Sequence, residues 1–488
     1  MKIRFLSATI LSLTVLFLAR LALALDGQIY IHDPSTIMEC DGKYYTFGTG
    51  RGGLISEDGW TWHSGAERPG GGVAPDVIHI GDRYYVTYAK GGGGLAGGHA
   101  SNVYVMWTKT LDPQSPDFGF KDETIVASTD GEEDCDAIDS AFLLDPTDGR
   151  LWLTYGTYFG FIRIVELDPE TGKRMPGNEP VNIAIDCEAT ALMYRDGWYY
   201  LLGTHGTCCS GVNSTYNIRV GRSRNVTGPY LDNLGMDMLR GGGKLVIAAN
   251  GRGVGPGHFG LIDLGDDVQK FSFHYEADLD RSGYSVLAIR PLLWEDGWPV
   301  AGEDFMGGTF EIESKGSGYA LEMGVEAVPL FIRPRRGVFR GFGPAPDETV
   351  TPIPDQDVAE VSQNWPDNPV VVRLGDYMLQ AHQKWTITPV TDAGGYLGSP
   401  CFKIIIAGTD RTLTATGDGE VIVEPAYTGD DKQLWRIDQL IDGSYRIMPR
   451  FVCDTMGPLA LTAVGVTTPS LARFDPGSDR GRWNFKKP

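Results

Sequence analysis

The chain has 488 residues, 42% hydrophobic and 11% aromatic, with a formal net charge of −21. That composition excludes disorder and supplies enough apolar surface for two or three domains. The acidic balance argues against nucleic acid as a partner and suits a neutral substrate better than a polyanion.

Residues 1–24 carry Lys2 and Arg4, then an apolar run from Ile10 to Leu18, then Ala22-Leu23-Ala24, the small residues that a signal peptidase requires. The run is broken by Arg20 and is too short to span a bilayer, so the segment reads as an export signal of a secreted protein, extracellular or periplasmic, with no membrane partner. Its removal takes three basic residues and leaves a charge of −24. The mature chain is rich in Gly, Tyr and Trp and lacks long helical periodicity, which favours an all-β fold. Seven cysteines are too few for a disulfide scaffold. Cys208 and Cys209 are adjacent, as in a vicinal disulfide, and Cys401 and Cys453 occupy corresponding regions of two later repeats, where a bridge is also possible; sequence does not fix the pairing.

Between residues 30 and 300 one pattern recurs five times: a carboxylate or histidine, then about a dozen residues later a tight turn feeding an aromatic strand. Asp33 precedes Asp41-Gly42 and Tyr44-Tyr45; Asp76 precedes Gly81-Asp82 and Tyr84-Tyr85; Asp139 precedes Asp148-Gly149 and Leu151-Trp152. Glu188 precedes Asp196-Gly197 and Tyr199-Tyr200, and His258 precedes Gly265-Asp266 and Phe271. Asp-Gly and Gly-Asp tolerate the positive φ of two-residue hairpins, so each copy is a small antiparallel meander. Five meanders arranged radially make a five-bladed β-propeller over residues 25–301, with the first strand of each blade lining the channel. A single Asp ahead of a turn usually does no more than cap it. Five polar residues at one place in the repeat instead predict convergence at the axis.

The segments Ile31-His32-Asp33-Pro34-Ser35, Ala74-Pro75-Asp76-Val77, Ala137-Ile138-Asp139 and Glu188-Ala189 resemble the blade-opening motifs of glycoside hydrolase family 43. Cys208-Cys209-Ser210-Gly211, the run from Ser214 to Ser223, Gly255-Pro256-Gly257-His258 and Ile289-Arg290-Pro291-Leu292 are similar to its endo-arabinanase branch. The resemblance implies an inverting hydrolase with Asp33 as general base, Glu188 as general acid and Asp139 as the carboxylate that orients the acid and raises its pKa. Inversion needs two carboxyls about 6.5–9.5 Å apart with water between one of them and the sugar, and opposite sides of a channel can provide that spacing. The resemblance also implies a calcium-like ion near the axis held through His258, with His274 the weaker alternative; no organic cofactor is expected. Asp76, Tyr158, Phe159 and Tyr216 are substrate-binding candidates, the aromatics because their faces stack on sugar C–H surfaces. Val73, Ser140 and Thr190 depart from the residues the family often has at those places, which bears on cleft shape and on endo or exo action.

After Pro299 the pattern changes. Phe310-Glu311-Ile312, Phe402-Lys403-Ile404 and Tyr445-Arg446-Ile447 are followed by Leu321, by Leu413, and by Leu459 and Leu461. Each unit closes on a tryptophan: Gln383-Lys384-Trp385, Gln433-Leu434-Trp435 and the degenerate Gly481-Arg482-Trp483. This threefold pattern resembles a ricin-B-like β-trefoil over residues 302–488, with a Pro-rich insertion at about 329–370, and implies a carbohydrate-binding module. The expected protein is a monomeric arabinan endo-1,5-α-L-arabinosidase acting on plant or algal wall polysaccharide or oligosaccharide. The alternatives are an exo-acting α-L-arabinofuranosidase or β-xylosidase, and a non-catalytic glycan-binding protein.

Overall fold

The computed structural model describes residues 25–488 except 51, 69, 93–97, 326–361, 363–364 and 451–457. The expected export signal, most of the expected insertion and Cys453 with its expected bridge lie outside the described residues. Two compact units divide the chain. One runs to Asp304 and takes in Gly394–Pro400 and Leu440–Gly443; the other comprises Phe305–Ala393, Cys401–Gln439 and Ser444–Pro488.

The first unit is an all-β five-bladed propeller. Blade one is built from β1 (Asp26–Gly27), β2 (Met38–Cys40), β3 (Lys43–Phe47), β4 (Gly52–Ser56) and β5 (Thr61–Glu67). Blade two holds β6 (Val73–Ile80), β7 (Arg83–Gly91), β8 (Ala100–Thr108) and β9 (Lys121–Asp130); blade three holds β10 (Ala141–Leu144), β11 (Leu151–Tyr155), β12 (Phe161–Leu167) and β13 (Val181–Ile185). Blade four holds β14 (Glu188–Arg195), β15 (Trp198–His205), β16 (Asn217–Ser223) and β17 (Lys244–Ile247); blade five holds β18 (Gly253–Asp263), β19 (Gln269–Asp278), β20 (Tyr284–Glu295) and β21 (Trp298–Ala301).

Blades two to five are antiparallel meanders in chain order, which local turn chemistry explains. Cys40 pairs with Lys43 and Arg195 with Trp198 across two-residue turns, and the Asp41-Gly42 and Asp196-Gly197 pairs in those turns all have positive φ. The ring closes through the N-terminal segment. Asp26 and Gly27 pair in parallel with Thr61 and Trp62 of blade one, while the Leu287 N–H of blade five donates to the Ile29 carbonyl at 2.8 Å. Neighbouring blades pack face to face over apolar layers. Tyr85, Val103 and Val105 meet Leu151, Leu153 and Val165 between blades two and three, and Tyr200, Leu202 and Val220 meet Phe271 and Phe273 between blades four and five.

The second unit contains a ten-stranded sheet and a two-stranded hairpin among its described residues. A threefold motif recurs within it. Trp385, Trp435 and Trp483 are fully buried, and their indole N–H groups donate to the carbonyls of Leu321, Leu413 and Leu461 at 2.7, 3.0 and 2.8 Å. A single 3₁₀ turn precedes each tryptophan, at Ala381–Gln383, Asp431–Gln433 and Asp479–Gly481. In the first two, the Gln383 and Gln433 amides donate to Glu322 and Glu424 at 2.7 Å. The third copy has Gly481 where the others have Gln.

Candidate active site

The innermost strands neighbour one another around the axis, with β6 beside β2 and β10, and β14 beside β10 and β18. At or just before each of them, one non-glycine residue takes a left-handed backbone conformation: Asp33 (φ 51°), Ala74 (45°), Asp139 (51°), Ala189 (46°) and His258 (65°). Register shifts mark the same places, at Val73/Asp76, Glu188/Ala191 and Gly257/Gly260. Such bulges re-aim side chains, and strained positions of this kind persist only where the surrounding fold holds them. The result is convergence. Asp139 feels the charges of Glu188, Asp33 and His258, and His258 feels those of Asp33, Asp139 and Asp76.

Asp33 sits in a nest of imidazoles. Its backbone N–H donates to His274 Nδ1 at 2.9 Å, and its carboxylate lies 2.9 Å from His32 Nδ1 and 3.5 Å from His258 Nδ1. The Thr49 hydroxyl donates to its Oδ2. Burial alone would raise the Asp33 carboxyl, but the His32 charge and the contacts from His258 and His32 outweigh it and hold the group well below the usual carboxylate range.

His32 is itself clamped, with Nε2 3.2 Å from Glu276 Oε1. Both ring nitrogens face carboxylates, which only accept, so the doubly protonated ring satisfies both sides. Burial would lower it; Asp33 and Glu276 overcome this and push it up to about 11. Glu276, which burial would raise, is brought down to about 2 by His274 and His32. The Cys209 N–H also donates to Glu276 at 3.2 Å, and Cys209 is joined to Cys208 in a vicinal disulfide. His274 is fully buried; desolvation and the adjacent His32 charge lower its pKa and keep it neutral, as its acceptor role toward the Asp33 amide requires.

The other two carboxyls move the opposite way. Glu188 is raised to about 8, first by burial and then by the negative charges of Asp33 and Glu276. Asp139 is raised well above the carboxylate range by burial and by Glu188 and Asp33, while its Oδ2 accepts the Ala189 N–H at 3.2 Å. One channel thus holds a carboxylate fixed in its charged form and a carboxylic acid that keeps its proton near neutrality, the division of labour that general acid and base catalysis needs.

The remaining sequence candidates fall in different places. Tyr158 and Phe159 are half-buried, with ring centroids 4.3 Å apart, and Tyr158 lies close enough to Glu188 and Asp139 to feel their charges. Tyr216 is 5% exposed and spends its hydroxyl on Glu188 Oε1. Asp76 accepts the backbone N–H groups of Thr36 and Phe142, both at 3.0 Å, and so ties blade two to blades one and three. His32 and Glu276 were not singled out in the sequence. His32 adjoins Asp33, and residues 274 and 276 alternate onto one face of β19, the periodicity that carried the missing signal.

A family model for glycosyl hydrolases family 43 matches residues 52–299, just over half of the chain. The chain belongs to glycosyl hydrolase family 43. This family 43 enzyme is 32% identical over 296 residues to the extracellular endo-α-(1→5)-L-arabinanase 1 of Bacillus subtilis (strain 168), covering 55% of this chain and 87% of that one. It is 31% identical over 311 residues to the extracellular exo-α-(1→5)-L-arabinofuranosidase of Cellvibrio japonicus (strain Ueda107), covering 57% and 87%. The solved structure of the Cellvibrio cellulosa α-L-arabinanase complexed with arabinohexaose superposes with a TM-score of 0.52 at 28% identity, covering 56% of this chain and 96% of that one. The protein is therefore an arabinanase-like glycoside hydrolase, and its relatives include both endo- and exo-acting enzymes. Among the described residues, no helix is long and apolar enough to cross a membrane.

Proposed function

We propose that the propeller hydrolyses α-1,5-linked L-arabinan within the chain and with inversion at the anomeric carbon. The observation that carries this reading is the convergence in one channel of Asp33, held 2.9 Å from His32, and the buried Glu188, held by the Tyr216 hydroxyl, in surroundings that push the two carboxyls in opposite directions. Asp33, as general base, takes a proton from water as its oxygen bonds to the anomeric carbon. Glu188, as general acid, gives its proton to the departing glycosidic oxygen on the opposite side. Burial and the negative charges of Asp33 and Glu276 keep Glu188 protonated, Asp139 orients it from the neighbouring blade, and the Tyr216 hydroxyl fixes the rotamer from which Glu188 donates.

His258 supports the reading of a hydrated calcium-like ion near the axis. Its Nδ1 is buried and makes no hydrogen bond of ordinary length, while the charged Asp33 carboxylate lies 3.5 Å from it. Such an ion supplies positive charge beside that carboxylate when bound. Three buried tryptophans in equivalent contacts support a β-trefoil for the second unit, and with it a role in holding polysaccharide. The extracellular relatives support export of this chain.

An exo-acting reading has one specific support, the Cellvibrio japonicus relative at nearly the same identity as the endo-acting one. Product analysis on linear α-1,5-arabinan tests the choice. Mixed oligosaccharides at early times are expected; arabinose alone refutes endo action, and an untouched polymer refutes the substrate.

A further inference from the structure

The chain leaves two tyrosines exposed beside the catalytic channel, and their placement is not accidental to the topology. Asp33 precedes β2 and Glu188 opens β14, so the innermost strands run away from the carboxyls and the second strands return toward them. Loops joining second to third strands therefore lie on the catalytic face: 156–160 with Tyr158 and Phe159, 206–216 with the vicinal disulfide, and 279–283.

Tyr284 follows the last of these loops as the first residue of β20, and Tyr30 lies three residues ahead of Asp33, within about 10 Å of chain reach. The Tyr30↔Val286 bridge brings them together, with ring centroids 5.7 Å apart and planes at 80°. Tyr30 is 53% exposed and Tyr284 63%. Val212 extends the patch: it is 54% exposed and sits against Gly283, where an added Cβ would meet its Cγ1 at 3.3 Å. The patch is continuous with the site, because the loop that carries Val212 also donates the Cys209 N–H to Glu276, which holds His32 against Asp33.

Tyr158 thus lies within the field of Glu188 and Asp139, while Tyr30 and Tyr284 stand further out on the same face, at the segment that leads into Asp33. We propose that Tyr30 and Tyr284, with Val212 beside them, form a distal subsite for furanosyl residues of the substrate chain outside the cleavage point. Rings and aliphatic groups of this kind suit the C–H faces of a neutral sugar, and the acidic chain disfavours a polyanionic glycan at the same place. The proposal rests on the endo-arabinanase reading, which needs substrate on both sides of the scissile bond.

The test compares the full-length parent with Tyr30→Ala/Tyr284→Ala and Tyr30→Phe/Tyr284→Phe on linear α-1,5-arabinan and on arabinotriose. The alanine variant should raise KM on the polymer about tenfold, equivalent to about 1.4 kcal/mol, through KM and not kcat, with a much smaller effect on the trisaccharide. The phenylalanine variant, which keeps the stacking faces, should stay close to the parent. An unchanged polymer KM in the alanine variant overturns the subsite, as does an equal loss on both substrates or an equal loss in the phenylalanine variant. A parent that leaves arabinan uncut fails differently: it refutes the substrate reading itself, and an arabinan subsite falls with it.

Discussion

Replacing Glu188 with Gln isolates the proton that the channel is built to hold. Raising a carboxyl from 4.5 to about 8 favours the protonated form by about 5 kcal/mol. At that value the acid is about 90% protonated at pH 7, half at pH 8 and about a tenth at pH 9. Asp33, held well below its ordinary range, stays ionised across the same interval. The parent should therefore show flat activity from mildly acidic to neutral pH and a fall through about pH 8 as Glu188 ionises. Glutamine keeps the shape and can still meet the Tyr216 hydroxyl, but it has no proton to give. Turnover on linear arabinan should fall by about 10²–10⁴, the usual range for general acid assistance. On 4-nitrophenyl α-L-arabinofuranoside, whose leaving group departs without help, the loss should be far smaller and the alkaline limb should vanish. Equal losses on the two substrates, or an alkaline limb that survives in the variant, would refute the assignment.

Asp33→Ala should abolish hydrolysis of both substrates, since attack by water needs the base whatever the leaving group; proton NMR of early product should show inverted configuration, and retention sinks the two-carboxyl scheme. Glu276→Gln should lower kcat by about ten- to a hundredfold, by loosening His32 behind Asp33, with little change in KM; a change confined to KM would show that Glu276 serves binding. Because Glu188 is raised in the folded state, its contribution to stability is full below about 4.5 and lost as pH rises through about 8. Thermal melting of Glu188→Gln should consequently fall less between pH 5 and 9 than that of the parent, and parallel curves would contradict the shift. Trp435→Ala removes a fully buried ring and its bond to the Leu413 carbonyl, and should cost about 3–5 kcal/mol in denaturant unfolding of the second unit; a negligible cost would place Trp435 outside its core.

The repeat makes the five axial residues legible in the sequence, because blade-opening strands must converge and Asp-Gly turns keep their register. What a side chain does after arriving there was less legible. Tyr216, a substrate-binding candidate, gives its hydroxyl to Glu188, and Asp76 gives both oxygens to backbone amides of the flanking blades. Composition cannot separate a tyrosine that stacks on substrate from one that braces a catalytic acid, since both need the same ring at the same channel. Glu276 escaped notice for a related reason: it belongs to the second strand of its blade, not to the repeated opening position, and the alternation of His274 with Glu276 reads like any strand with one polar face. The tryptophans of the second unit are easier, because an indole that closes each repeat must find an acceptor in the core, and each finds the carbonyl of its own repeat's leucine, Leu321, Leu413 or Leu461.

One local device, a left-handed residue in or just before each inner strand, has different chemical consequences because the neighbours differ from blade to blade. Asp33 and Asp139 share the residue type and the same φ, yet the surroundings push one carboxyl well below the ordinary range and the other well above it. The difference lies in what the adjoining strands bring. Asp33 is given His32, His258 and His274, whereas Asp139 is given Glu188 and a single backbone amide. Moving a cation next to Asp139 should therefore undo the arrangement without touching either catalytic carboxyl. Ser140→Lys is unsuitable, because Ser140 is buried against Thr87 at 2.7 Å. Tyr158→Lys is a better choice: Tyr158 is half-exposed and already within the field of Glu188 and Asp139. A positive charge there should lower the pKa of both, shift the alkaline limb on arabinan toward acid by about one unit, and leave the Asp33-dependent hydrolysis of the aryl substrate less affected. An alkaline limb that stays at about 8 in this variant would mean that burial alone, and not the balance of charge around the ring, sets the protonation of Glu188.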